Sequence, residues 1–100
     1  MTQIPFDAVA WKRADPIKRD RTVRSQMIDD LLGRYNFQGW TEQQIVQLLG
    51  EPDSRLGFER YDIVYKMGLE RGGSFSLDTE ALVSQLDRND RVFAYHCHLN

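Results

Sequence analysis

Trp40-Thr41-Glu42-Gln43-Gln44-Ile45-Val46-Gln47-Leu48-Leu49-Gly50-Glu51-Pro52 is a short helix with both ends written into the sequence. Thr41 is a good N-cap, and Gln44 three residues later is placed to reach back to the cap's own N–H. Trp40, just before the cap, faces Ile45 in the staple arrangement. Ile45, Val46, Leu48 and Leu49 make the apolar stripe. Gly50 suits a left-handed C-terminal cap, and Pro52 forbids continuation. The spacing therefore predicts a helix over 42–49. At that length it has no stability of its own in water and must be held by packing.

Upstream, Val23, Met27, Ile28, Leu31 and Leu32 recur at helical spacing and predict a first helix from about Asp20 to Arg34. Arg24, Gln26, Asp29 and Asp30 fall mostly on its wet side. Residues 1–19 read as an extended arm whose large apolar groups, Phe6, Val9 and Trp11, pin it to a single domain over 20–100.

Downstream of Pro52 the period changes from about 3.6 to 2. Tyr61, Ile63, Tyr65 and Met67 alternate with Arg60, Asp62, Val64 and Lys66, the pattern of a half-buried strand with the first set inside. Gly72-Gly73 marks a turn, and Phe75 and Leu77 open another short strand. Residues 81–86 and 91–99 form a hairpin around Asp87-Arg88-Asn89-Asp90. In the last strand Phe93, Tyr95, Cys97 and Leu99 share one face and Val92, Ala94, His96 and His98 the other. Both faces carry apolar groups, so the pattern does not say which is inside. Helices followed by strands give an α+β class: two helices packed on one face of a three- to four-stranded antiparallel sheet.

The run Gly39-Trp40-Thr41, Ile45-Val46 and Leu48-Leu49-Gly50-Glu51-Pro52 resembles the helix-pair segment of the SmpA/OmlA (BamE-like) family of small bacterial outer-membrane lipoproteins. Tyr65-Lys66-Met67-Gly68, and Leu82 to Asp87 followed by Arg91-Val92, are similar to that family's strands. The resemblance spans roughly residues 35–96. Trp40 stands where the family usually has methionine, and Asp90 where it usually has glycine. The resemblance implies two helices on a three-stranded antiparallel sheet, the arrangement shared with β-lactamase-inhibitor proteins, and a role as a binding scaffold.

Composition narrows the function classes. The chain has 100 residues, 41% of them hydrophobic, and a formal charge of −2. It is one globular domain, without the signature of disorder. Lys12, Arg13, Lys18, Arg19, Arg21 and Arg24 form a basic segment, but Asp15 and Asp20 interrupt it, so no nucleic-acid surface is expected. No stretch approaches the ~20 apolar residues of a membrane span. The single cysteine, Cys97, excludes a disulfide scaffold and fits a reducing compartment. No leader and no lipidation cysteine stand in the sequence. The expectation is a cytoplasmic protein as the chain is written, with the bacterial cell envelope as the alternative if a leader was removed.

For chemistry, His96-Cys97-His98 is the one cluster to weigh. On a strand the two histidines share a face and Cys97 points away, so neither histidine activates the thiol. Two imidazoles are too few for zinc, and a third ligand would have to come from elsewhere, such as Asp78 or Glu80. The expectation is no catalytic group, no cofactor and no metal, with His96 and His98 as the weaker metal alternative. Gly72-Gly73 lacks the spacing of a phosphate loop. The aromatic residues Tyr35, Trp40, Tyr65 and Tyr95 are the candidate binding residues, as anchors in a partner's pocket. The leading functional expectation is a protein-binding module with another protein as partner, using the sheet's outer face or the helix–sheet edge. The alternative is a small ligand-binding domain or enzyme with a pocket between helices and sheet near Trp40, Tyr65 and Tyr95.

Overall fold

The computed structural model describes residues 3–15, 23–53, 61–69 and 79–99. Its elements are α1 (Ala8–Arg13), α2 (Val23–Arg34), α3 (Glu42–Leu49), β1 (Ile63–Leu69), β2 (Thr79–Leu86) and β3 (Val92–Leu99). The strands make one antiparallel sheet in the order β1-β2-β3, and the helices lie on one of its faces. The α+β class is therefore as the periodicity requires, with three strands among the described residues. The turn at Gly72-Gly73 and the strand expected at Phe75 and Leu77 lie outside the described residues.

α3 has the bounds its punctuation dictates. Gln44 N–H donates to Thr41 Oγ1 at 3.2 Å, and Thr41 N–H donates to Gln44 Oε1 at 2.9 Å. Gly50 ends the helix at φ 82, and its N–H donates to Val46 O at 2.7 Å. A Cβ there would sit 3.1 Å from Lys12 Cγ, a tight approach to which the lysine side chain would have to yield, while the positive φ itself calls for glycine.

The arm is not extended throughout. Residues 8–13 form α1, capped by Asp7, whose Oδ1 accepts from Val9 N–H at 2.9 Å and Ala10 N–H at 3.4 Å. Six residues are too few to show a helical period, so the cap was the readable signal. The pinning expected of the arm occurs through Trp11 and Phe6 but not through Val9, which is 56% exposed. Trp11 is fully buried, Ile4 N–H donates to Gln26 O, and the Gln3 amide bridges Ser25 O and Asp29 N–H on α2. Phe6 N–H donates to Asp30 Oδ2 at 2.7 Å.

Met27, Ile28 and Leu31 of α2 meet Ile45 and Leu49 of α3 and Ile63, Tyr65, Met67, Leu82 and Val92 of the sheet in one core. Arg24 departs from the expected wet side, being only 4% exposed. Its Nε donates to Trp11 O at 3.0 Å, and one terminal nitrogen donates to Lys66 O at 2.9 Å and to Asp53 Oδ2 at 3.0 Å. The guanidinium also lies 5.1 Å from the Trp11 ring centroid. Asp53 in turn fastens the outer edge of β1, accepting from Lys66 N–H at 2.7 Å and donating its own N–H to Val64 O at 2.9 Å. A guanidinium is driven inside because carbonyls and a carboxylate wait there in the geometry it fits.

Besides a register shift in β1 between Lys66 and Gly68, two irregularities decide which residues face the core. In β3 the pairing runs Gln85 with Ala94 and then Leu86 with Val92, so Phe93 is the extra residue of a bulge. Val92 thereby joins Tyr95 and Cys97 on the core side, while Phe93 is turned out. Before β1 the chain bends at Asp62, and Tyr61 packs on the outer face instead of the expected inner one. That outer face is not bare. Val64, Ala81 and Val83 form a second buried cluster with Tyr61 against it. Asp90, in the hairpin turn, holds φ 61.

Two stability changes are expected in urea unfolding. Arg24→Met should lower the unfolding free energy by about 2–4 kcal/mol, because it strips the hydrogen bonds from the carbonyls of Trp11 and Lys66 and from Asp53. Asp90→Gly should raise it by about 0.5–1 kcal/mol, since glycine enters the left-handed region without a Cβ penalty.

Candidate aromatic binding site and the outer-face histidines

The loop from α2 to α3 carries three aromatic residues in Tyr35-Asn36-Phe37-Gln38-Gly39-Trp40. Its conformation is fixed at both ends. Tyr35 N–H continues the helix ladder to Leu31 O at 3.1 Å, and Trp40 N–H closes a turn onto Phe37 O at 3.0 Å. Gly39 adopts φ 82 within that turn. The loop then pairs with the start of β3: Gly39 N–H donates to Val92 O and Val92 N–H to Trp40 O, both at 2.8 Å, with a further bridge between Thr41 and Arg91. Arg91 adds a side-chain hydrogen bond to Gly39 O at 2.9 Å.

This fastening gathers Tyr35, Trp40 and Tyr95 around Phe37, which is 1% exposed. Tyr35 stacks on Phe37 at 6.0 Å and 8°. Trp40 meets Phe37 edge-on at 4.8 Å and Tyr35 at 5.8 Å, and Tyr95 meets Phe37 at 5.3 Å. Phe6 from the arm closes the far side against Tyr35 at 6.1 Å. Edge-to-face pairs of this kind each contribute ~0.5–1.5 kcal/mol beyond area burial, so the rings are held rather than loosely exposed. Tyr35, Trp40 and Tyr95 stay half-buried, and Arg34, Asn36, Gln38 and Arg91 around them are exposed. Tyr95 Oη donates to Asn36 Oδ1 at 3.4 Å. Rigid aromatic groups reaching solvent inside a polar rim have the make-up of a protein contact surface.

Tyr65 does not join them. It is 1% exposed, its ring lies 6.4 Å from Trp11, and its hydroxyl donates to Gly50 O at 2.7 Å. It is core, tying β1 to the end of α3. Phe37, the residue that organises the site, was not among the candidates; three aromatics within six loop residues were the available signal.

The histidines lie on the opposite face of the sheet from this cluster. In register, Val83 pairs with His96 and Ala81 with His98, so both imidazoles stand over the outer cluster. Cys97 packs on the core side, and the thiol and the imidazoles are thus separated by the sheet itself. Glu80 is buried, 4% exposed, on the core face, and Asp78 lies outside the described residues. Glu80 therefore does not supply the third ligand suggested for His96 and His98. The neighbour that does reach them is Tyr61, its ring 5.5 Å from His96 and 5.4 Å from His98. Among the described residues no three or more His, Cys, Asp or Glu side chains gather at one point able to hold a metal ion. Arg24, buried in its ion pair, also leaves the basic segment, and Lys12 Nζ donates to Gln47 O at 3.1 Å. No helix of the described residues is long and apolar enough to cross a membrane.

Tyr65→Phe separates core from contact residue. It should lower stability by about 1 kcal/mol in urea unfolding, through the lost hydrogen bond to Gly50 O, and leave recognition by the folded protein unchanged.

No family model matches the chain, and neither the curated proteins nor the solved structures contain a match to it.

Proposed function

We propose that this chain is a small non-catalytic protein-binding module of bacterial type, and that Tyr35, Trp40 and Tyr95 form its contact surface. The observation that carries the reading is the anchoring of these three half-buried rings on buried Phe37, in a loop fastened to β3. A pre-organised aromatic patch loses little conformational entropy on binding. The scaffold role implied by the resemblance to the SmpA/OmlA family points the same way. So does the separation of Cys97 from His96 and His98 on opposite faces, which leaves that cluster without a paired nucleophile and base. The reading needs neither nucleic acid nor a membrane span, and the lone thiol favours a reducing compartment such as the cytoplasm.

The expected contact surface also moves. The outer face of the sheet carries a buried cluster under Tyr61, so the helix–sheet edge, where the aromatic loop meets β3, is the better-supported location. A ligand pocket lined jointly by Trp40, Tyr65 and Tyr95 has less support, because Tyr65 packs toward Trp11 while the other two pack around Phe37.

The test is affinity capture from the source organism, followed by titration of the recovered partner against variants of known stability. Tyr35→Ala and Tyr95→Ala should each weaken binding by at least tenfold while remaining folded. Phe93→Ala, at a residue 52% exposed on the far side of the β3 bulge, should bind as wild type. Folded Tyr35→Ala and Tyr95→Ala proteins that bind as tightly as wild type would contradict the assignment.

A further inference from the structure

We propose that the patch formed by Tyr35, Trp40 and Tyr95 takes a proline-rich segment in the polyproline II conformation. This rests on the reading of these rings as the contact surface, and it names the chemistry of what they contact. Tyr35 and Trp40 meet at 81° with centroids 5.8 Å apart, so they stand as two walls of a corner rather than as one flat plate. Tyr95 reaches the same buried Phe37 from β3. Rigid aromatic walls suit pyrrolidine rings, which are apolar and have no rotamer entropy to lose.

The hydrogen-bonding groups separate this ligand from other peptides. Three carbonyls of the loop are already engaged: Phe37 O accepts from Trp40 N–H, Gly39 O from the Arg91 side chain, and Trp40 O from Val92 N–H. Asn36 Oδ1 accepts from Gln38 N–H at 3.1 Å and from Tyr95 Oη at 3.4 Å, which uses both its lone pairs and leaves the amide's NH2 as a donor. Among the described residues the Trp40 indole N–H meets no acceptor. It is not shut in either, because Trp11 Nε1 is the one buried side-chain polar atom there without a partner. Arg91 carries donors only. Apart from the Gln38 amide and the Tyr35 hydroxyl, the side chains of the patch and its rim therefore offer a ligand donors. An ordinary peptide would set its own N–H groups against them, whereas proline has no N–H and presents only its carbonyl.

An acidic segment would also present acceptors, but the surrounding charges do not call for one. Arg34 is paired with Asp30 at 2.7 Å, and Arg91 follows Asp90 and sets its backbone N–H on Asp87 Oδ1 at 3.1 Å. A neutral chain rich in acceptors is the better complement. The polyproline II helix supplies it already extended, with no internal hydrogen bonds, and docks on rings already held by Phe37, so little entropy is lost on either side.

The experiment is titration of the full chain with decaproline, followed through the indole N–H resonances of Trp40 and Trp11 by nuclear magnetic resonance, with a glycine–serine peptide of the same length as control. Saturable binding of decaproline tighter than about 1 mM is expected. The Trp40 indole N–H should move downfield as it finds a carbonyl, while that of buried Trp11 stays in place. Trp40→Phe, which keeps an aromatic ring and removes the donor, should weaken binding about fivefold, the worth of one hydrogen bond. Tyr95→Ala should weaken it about tenfold or more. No saturable binding, equal binding of the glycine–serine peptide, or unchanged affinity in folded Trp40→Phe would overturn the proline-rich assignment. Should the captured partner then still lose affinity with Tyr35→Ala and Tyr95→Ala, the contact surface stands and only its ligand class falls. Should those variants bind the captured partner as wild type, the surface fails and this assignment with it.

Discussion

A guanidinium shut into the corner where four parts of the chain meet is the constraint on which the fold rests. Arg24 enters from the first turn of the described α2, and its hydrogen bonds reach α1 through Trp11 O, β1 through Lys66 O, and the segment after α3 through Asp53. Removing a cation from water is expensive, and it is stable inside only where its donors are satisfied in a fixed geometry. The requirement runs both ways. The three acceptors must stand where the fork of donors needs them, so arm, helix and sheet edge are registered against one another. Ser25 beside it reinforces the docking, its hydroxyl donating to Met67 O at 3.1 Å.

Asp53 extends this registration to the sheet. An edge strand normally presents unpaired backbone groups, and on β1 Asp53 occupies two of them through Lys66 N–H and Val64 O. At the other edge the loop from Gly39 to Thr41 does the same for the start of β3. Both edges are thus managed by the segments flanking α3, whose own ends are closed by the capping box and Gly50. A helix of eight residues has little stability alone; here it is the crossbar between two edge contacts. The aromatic loop inherits its rigidity from that arrangement.

Much of this architecture was legible in the sequence wherever a rule acts over a few neighbouring residues. The bounds of α3 follow from Thr41, Gln44, Gly50 and Pro52, and the strands follow from the change of period after Pro52. What the sequence hid depends on contacts between distant residues. Arg24 looks solvated because its partners lie at positions 11, 53 and 66. The faces of β3 were undecided because the bulge at Phe93 reverses the alternation midway, moving Val92 inward. Tyr61 obeys the period on paper, but the bend at Asp62 takes it to the other face. Of the four candidate aromatic residues, Tyr35, Trp40 and Tyr95 converge around Phe37, which their spacing did not reveal, and Tyr65 is core, its hydroxyl meeting the Gly50 carbonyl.

The most direct measurement is native-state hydrogen exchange at the backbone amide of Lys66, which points away from the sheet and is held by Asp53 alone. If the Arg24–Asp53 corner is part of the cooperative unit, this amide exchanges only through global unfolding, with the same free energy as the slowest amides of β2. Exchange through a local opening several kcal/mol cheaper than global unfolding would show that the corner frays independently, and that the core holds without it.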